Sequence, residues 1–171
     1  MTDTAKTGPF AKARALYCRF VAASNGLQGL SGLAMRLVMA RMFLKSGILK
    51  LTGGNAADLF QYEWFSDDNW WMQLFGIEEI PRFAAEVLGA LSMLGELALP
   101  VLLILGLFTR FASAGLLAMT VVIVLLVYPP WTPNGLSLWW NDHVWWTVIL
   151  LALLACGPGN LSLDAWLGKT R

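Results

Sequence analysis

FAAEVLGALSMLGELALPVLLILGLF, residues 83–108, is an apolar run of 26 residues whose charges are Glu86 and Glu96. A helix needs about 20 predominantly apolar residues to cross the ~30 Å hydrocarbon core of a bilayer, so this run is long enough to span. A second run, Phe111 to Tyr128, follows after Thr109 and Arg110, a gap short enough to predict a tight helical hairpin at a membrane surface. The chain is expected to be built inside a membrane.

A carboxylate near the middle of such a helix costs roughly 2.5 to 3.5 kcal/mol on insertion scales unless it is paired, protonated or hydrated. Glu96 therefore needs a partner. Pro100, four residues on, lacks the N–H that would bond the Glu96 carbonyl, which predicts a kink and a second unsatisfied group at that depth. At 100° per residue Ala85, Gly89, Ser92 and Glu96 lie within about 60° of one another, a small-residue stripe that admits a close neighbour. Glu96 is placed facing protein.

With 57% hydrophobic residues, 13% charged residues and nine tryptophans in 171, the composition departs from that of soluble domains, which carry about a quarter charged residues. A net charge of +1 with scattered basic residues gives no reason to propose nucleic acid. Cys18 and Cys156 form no metal-ligand spacing, and both are expected on the cytoplasmic side as reduced thiols. The first 30 residues lack the continuous apolar core of a cleaved signal, so the first span is expected to serve as an uncleaved anchor.

The expected fold is all-α: an integral membrane four-helix bundle, preceded by an amphipathic helix. Residues 1–32 form a cytoplasmic tail and interfacial helix, residues 33–166 the membrane domain, and residues 167–171 a C-terminal tail. In the first of these, Phe10, Ala13, Leu16, Tyr17, Phe20 and Val21 recur at helical spacing among Lys12, Arg14 and Arg19, the pattern of a helix on a membrane surface. A plain cytoplasmic extension of the first span is the alternative. Ser24 to Gly32, with three glycines, reads as a hinge. The spans fall at about 33–51, 83–107, 111–128 and 138–156. The outer loop 52–80 has no lysine or arginine, six acids (Asp58, Glu63, Asp67, Asp68, Glu78 and Glu79) and seven aromatics. Basic residues before the first span, Arg110 in the hairpin, and Lys169 with Arg171 at the end put both termini in the cytoplasm of a bacterial inner membrane by the positive-inside rule.

Depth follows from 1.5 Å per residue counted from the middle of each span. Arg41 and Glu96 then fall within about 3 Å of the midplane and form the natural pair. Lys45 falls about 4 Å and His143 about 7 Å toward the outside, with Lys50, Glu86 and Asp142 at roughly 9 to 13 Å. Lys50 and Glu86 make a second structural pair. Lys45, His143, Asp142 and Trp146 are the candidate ligand-binding residues, since intramembrane ionisable groups mark function and a neutral imidazole suits proton exchange. The competing reading makes these charges struts and the tryptophans an interfacial belt; an ion or proton path is a third. No phosphate-binding loop, metal cysteine pair, intramembrane haem histidine pair or nucleophile elbow is present, so no self-contained catalytic site is visible.

Arg36, Phe43, Ser46-Gly47 and Lys50 in the first span, Glu96, Gly106 and Thr109-Arg110 in and after the second, and Gly157-Pro158-Gly159 with Leu161-Ser162-Leu163-Asp164 near the end together resemble the DoxX family of small four-helix membrane proteins. On a helical wheel Arg36, Phe43, Ser46, Gly47 and Lys50 share one side, with Arg41 and Lys45 on the other, a side also expected to be packed. The chain departs from the family in carrying Arg41 and Lys45 where many members are apolar, His143 where an acid is common, and a longer aromatic loop. The resemblance implies a small subunit or partner of a quinone-linked redox system, with no intrinsic cofactor and quinone as ligand. The alternative it implies is a non-catalytic accessory that docks a periplasmic or metal- or oxidative-stress partner through the acidic aromatic loop. A small transporter is disfavoured, since no inverted repeat is evident. The expected partners are the lipid bilayer and other protein subunits, with a homo-oligomer also compatible.

Overall fold

A computed structural model describes residues 8–53, 70–77 and 81–168, and all regular structure among them is helical. Helix α1, Pro9–Asn25, begins with proline in its first turn, where the fixed φ is already helical. None of its residues is buried, and Phe10 is 90% exposed. Helix α2, Gln28–Thr52, follows after a turn at Gly26 and Leu27. The glycines read as a hinge are contact points instead: Gly29 and Gly32 lie inside α2, and a Cβ on Gly32 would stand 2.4 Å from the Pro158 carbonyl oxygen. Their lack of a side chain lets α2 start five residues before the expected span and pack against the turn at 157–161.

Helix α3 is Trp70–Phe75, and α4 runs Arg82–Leu105, continuous through Pro100. Gly106, at φ +64°, ends α4 in the left-handed conformation, where its N–H and that of Leu107 bond back to Leu103 and Leu102. Helix α5, Thr109–Val122, continues into a π-helical turn, Ile123–Val127. Helix α6, Pro133–Leu138, is capped by the Thr132 hydroxyl, which accepts from the Gly135 N–H at 3.1 Å. A second π turn, Trp139–His143, joins it to α7, Val144–Cys156. The last helical rod thus starts at Pro133 rather than near Leu138, because threonine followed by proline is a strong helix start. A short α8, Leu163–Trp166, closes the described chain.

Helix α2 packs on α4, α4 on α5, α5 on α7, and α7 back on α2. Met39, Ala40, Phe43, Leu103, Ala112, Leu116 and Leu150 meet at the centre. The small-residue stripe of α4 turns inward as expected, with Ala85, Gly89 and Glu96 buried. Large apolar side chains such as Leu91, Leu94, Val101, Val148 and Leu151 point outward. Arg82–Leu105 and Thr109–Val127 are long and apolar enough to cross a membrane, and less than a third of either is buried within the chain. The α2 helix and the Pro133–Cys156 rod are as long, roughly 36 Å at 1.5 Å per residue.

One end of the assembly is sealed by two charged side chains. Arg36, fully buried, donates to the carbonyls of Leu103 (3.0 Å) and Ile104 (3.3 Å) and to that of Leu161. Asp164 accepts from the N–H groups of Phe108 (2.9 Å) and Thr109 (2.8 Å) at the start of α5. These bonds hold Phe108 at φ +48°, an unfavourable backbone for a residue with a Cβ. Asp164→Ala is therefore expected to lower stability by about 1 to 2 kcal/mol, the scale of a lost N-cap. Asp164→Asn, which keeps an acceptor, should recover part of this. Thermal melts of the detergent-solubilised variants check it; an Asp164→Ala midpoint equal to wild type would refute the capping role.

Candidate functional site

Lys50, Glu96 and His143, three of the buried polar residues, line a cavity of about 250 Å³ toward the end where α5 leaves its π turn. Lys50, Ser46 and Phe43 come from α2, Glu96 from α4, Tyr128 from the end of α5, and Asp142, His143 and Trp146 from the last rod. Lys50 Nζ lies 3.1 and 3.0 Å from the two Glu96 oxygens and 2.9 Å from Ser46 Oγ, one turn back on its own helix. The ion pair is buried, with 9% and 4% of the two side-chain surfaces exposed. Three acceptors match the three ammonium N–H donors, so Lys50 is saturated. Ser46 accepts that bond and keeps its own hydroxyl proton to donate.

Glu96 is thus paired with Lys50, and the expected Arg41–Glu96 pair does not form. Gly47 explains the difference. A Cβ there would stand 3.1 Å from Glu96 Cβ and from the Glu96 carbonyl carbon, so α2 and α4 touch at this level. Equal midpoints would have set Glu96 opposite residue 41. The real register is displaced by about six residues, roughly 9 Å, which brings Lys50 to Glu96 and leaves Arg41 nearer the Arg36 end. Nor do Lys50 and Glu86 pair: Glu86 meets Arg82, one turn away on the exposed face of α4, at 3.1 Å. Lys45 is exposed and absent from the cavity wall, so it does not join His143, and the side of α2 that carries Arg41 and Lys45 is open rather than packed.

His143, Asp142 and Trp146 do come together at the cavity. His143 is 5% exposed, and its Nδ1 lies 3.1 Å from the Leu138 carbonyl oxygen. A carbonyl can only accept, so Nδ1 carries a proton, and Nε2 is the ring nitrogen not committed to Leu138. The Leu138 carbonyl is five residues back, within reach because the π turn at 139–143 widens the backbone there. Trp146 stacks at a tilt on His143 (4.7 Å between centroids) and on Phe43 (5.7 Å), which fixes the imidazole plane. Asp142, partly exposed, lines the cavity beside His143. The other π turn leaves the Leu125 carbonyl to accept from Trp70 Nε1 at 2.8 Å, and Trp70 packs edge-on against Trp131, so α3 is pinned over this end of α5.

Of the residues quoted for the family pattern, Phe43, Ser46, Gly47, Lys50 and Glu96 build or border the cavity. Arg36, Gly106, Gly157, Pro158, Gly159 and Asp164 build the sealed end, where Arg110 Nη2 would stand 3.5 Å from a Cβ on Gly157. Ser46 and Tyr128 were not read as ligand residues from the sequence. The signal for Ser46 was its place four residues before Lys50, on the same helical face. The acids Asp58, Glu63, Asp67, Asp68, Glu78 and Glu79 of the outer loop lie outside the described residues, as do Lys169 and Arg171.

The DoxX family model matches residues 31–129, more than half of the chain. The chain belongs to the DoxX family. An uncharacterized protein of Haemophilus influenzae is 32% identical over 146 residues, covering 82% of this chain and 85% of that protein. No solved structure matches. The DoxX match takes in Arg36, Gly106 and the Lys50–Glu96 pair, and it stops before Asp142, His143, Trp146 and the 157–164 segment of the sealed end. It fits the two apolar helices as part of a membrane protein.

Removing one member of a buried ion pair strands the other, at a cost of about 3 to 5 kcal/mol, whereas replacing both by apolar residues is often close to neutral. Lys50→Met and Glu96→Leu singly should each lower the melting midpoint in detergent strongly, and Lys50→Met/Glu96→Leu together should restore most of it. Additive losses in the double variant would show that the two groups are not coupled.

Proposed function

We propose that this DoxX protein is a four-helix, multi-pass protein of the bacterial inner membrane with both termini in the cytoplasm, and that it serves as a small subunit or partner of a quinone-linked redox system. The cavity carries the reading: Ser46 and His143 line a space with Phe43, Tyr128 and Trp146, backed by the Lys50–Glu96 pair. Its volume, just under the ~300 to 1,000 Å³ usual for ligand pockets, suits one ring-sized head group. Its walls are largely apolar and aromatic, with few and convergent polar groups, as such sites require.

A quinone accepts two electrons from a redox partner and two protons. The residues here supply binding and proton handling. Ser46 donates its free hydroxyl to one ligand oxygen, and its geometry is fixed by Lys50. His143 serves the other oxygen through Nε2, donating when the ring is protonated and accepting when it is neutral, while Nδ1 stays committed to the Leu138 carbonyl. Asp142, next to His143 in the chain and partly exposed on the cavity wall, serves to exchange a proton between His143 and the outside. Glu96 keeps Lys50 from competing for the ligand. The orientation rests on the basic residues, and the two further spans on the length of α2 and of the Pro133–Cys156 rod and on the apolar side chains that line the outside of α2, α4, α5 and α7.

The detergent-purified protein should yield roughly stoichiometric quinone on organic extraction, read by its redox difference spectrum. His143→Ala and Ser46→Ala should lose it while lowering the melting midpoint less than Lys50→Met does, and Lys45→Ala, outside the cavity, should retain it. No quinone in wild type overturns the ligand assignment. Sidedness has its own readout, since Cys18 and Cys156 are free and exposed. Both should resist a membrane-impermeant maleimide in intact spheroplasts and react once the membrane is opened; labelling before opening would reverse the topology.

A further inference from the structure

Arg41 and Lys45, one turn apart on α2, take no part in the cavity, the sealed end or any ion pair among the described residues. Both are exposed, and they edge a shallow groove of about 540 Å³ between α2 and α4 whose remaining walls are Leu37, Ala40, Leu44, Ile48 and Ile104. Cations in so apolar a setting need an anion. The question is which anion the position admits.

The contact of Gly47 with Glu96 fixes the level. Arg41 lies six residues, about 9 Å, toward the Arg36 end from there, and Lys45 about 3 Å. Side chains on a helix lean toward its N-terminus, so both head groups are carried further the same way. With the Gly47–Glu96 contact taken at the midplane, where the count along the span of Glu96 sets it, and with a stem of roughly 6 Å, the Arg41 guanidinium reaches the edge of a hydrocarbon half-layer about 15 Å thick. The Lys45 ammonium stops short of it, unless an anionic group dips to meet it along the groove. A second copy of the chain docked here face to face would set cations against cations, because a two-fold contact repeats the same patch. The acidic loop is joined to the opposite end of α2, beyond Thr52.

We infer that the Arg41–Lys45 groove binds an anionic phospholipid of the inner leaflet, with its phosphate between the guanidinium and the ammonium and an acyl chain along Leu37, Leu44 and Ile48. Phosphate, like carboxylate, is engaged by a planar guanidinium through paired N–H donors, and basic recesses between membrane helices on the cytoplasmic side suit acidic head groups. The leaflet, but not the binding chemistry, rests on the orientation proposed above.

Native mass spectrometry of the full-length protein in detergent, titrated with phosphatidylglycerol or phosphatidylcholine of identical acyl chains, tests this. Phosphatidylglycerol should bind about tenfold more tightly, and Arg41→Gln/Lys45→Gln should reduce it to the phosphatidylcholine level, with the extracted quinone unchanged. If the double variant does not purify, Arg41→Gln and Lys45→Gln singly should each lose part of the preference. Equal binding of the two lipids by wild type, or a full preference retained in the variants, overturns the inference. So does a co-purifying protein that is lost in the variants while lipid preference persists, which would assign the cations to a partner's carboxylate. Sidedness does not enter a measurement in detergent, so failure of the maleimide result would move the lipid to the other leaflet and leave the site standing.

Discussion

A guanidinium with no access to solvent sets the geometry of the whole chain. Arg36 cannot shed its charge and cannot be left unbonded in apolar surroundings, so three carbonyls must come to it, two from the end of α4 and one from the segment after α7. The Leu103 and Ile104 carbonyls can turn to the guanidinium because α4 ends there, Leu103 accepting from Gly106 as well, and Gly106 is what ends α4 at that point. The place where α4 stops, the place where the chain turns after α7 and the height of α2 are thereby tied together. Asp164 completes the knot by capping α5 from the same segment.

The two ends of the bundle consequently differ in kind. At the Arg36 end, glycines bring backbone against backbone, and charged side chains are spent on carbonyls and N–H groups. At the other end, the corresponding polar groups are side chains facing one another across open space. The Lys50–Glu96 pair marks the boundary between these regimes. It satisfies α2 and α4 at their closest approach, and it leaves Ser46 and His143 with one unspent position each. A structural pair and a binding wall can therefore share the same two residues, so the two readings of the intramembrane charges converge at Lys50 and Glu96 and separate at Arg41 and Lys45.

Hydropathy alone located α4 and α5, because long uninterrupted apolar runs admit few alternatives. The small-residue stripe oriented α4 correctly, since Ala85, Gly89 and Glu96 share a face whatever lies opposite. Which cation meets Glu96 was not legible, because helix register depends on where the neighbouring helix begins, and that in turn depends on glycines whose role is contact rather than flexibility. Gly29 and Gly32 look like a hinge in composition; only the Pro158 carbonyl shows that α2 must already be helical there. His143, Asp142 and Trp146 were legible as neighbours by sequence proximity. Lys45 was grouped with them by a depth count that the register overturns, and Ser46 was overlooked as a ligand residue because a serine beside a lysine carries no special signal until both face a cavity.

The wide turn at Trp139–His143 has a consequence for descent. A π turn holds one residue more than the α turn it replaces, so this stretch differs from a regular helix by a single insertion. Related chains one residue shorter between Leu138 and Val144 would still place α7 against α5, while every residue before the gap would rotate by about 100° about the helix axis. A histidine next to Val144 would keep its place on α7, but the Leu138 carbonyl that its Nδ1 now meets, and the side chains upstream of the gap, would be carried round the axis. Within one scaffold, a change of chain length by a single codon is enough to change which chemistry faces the cavity.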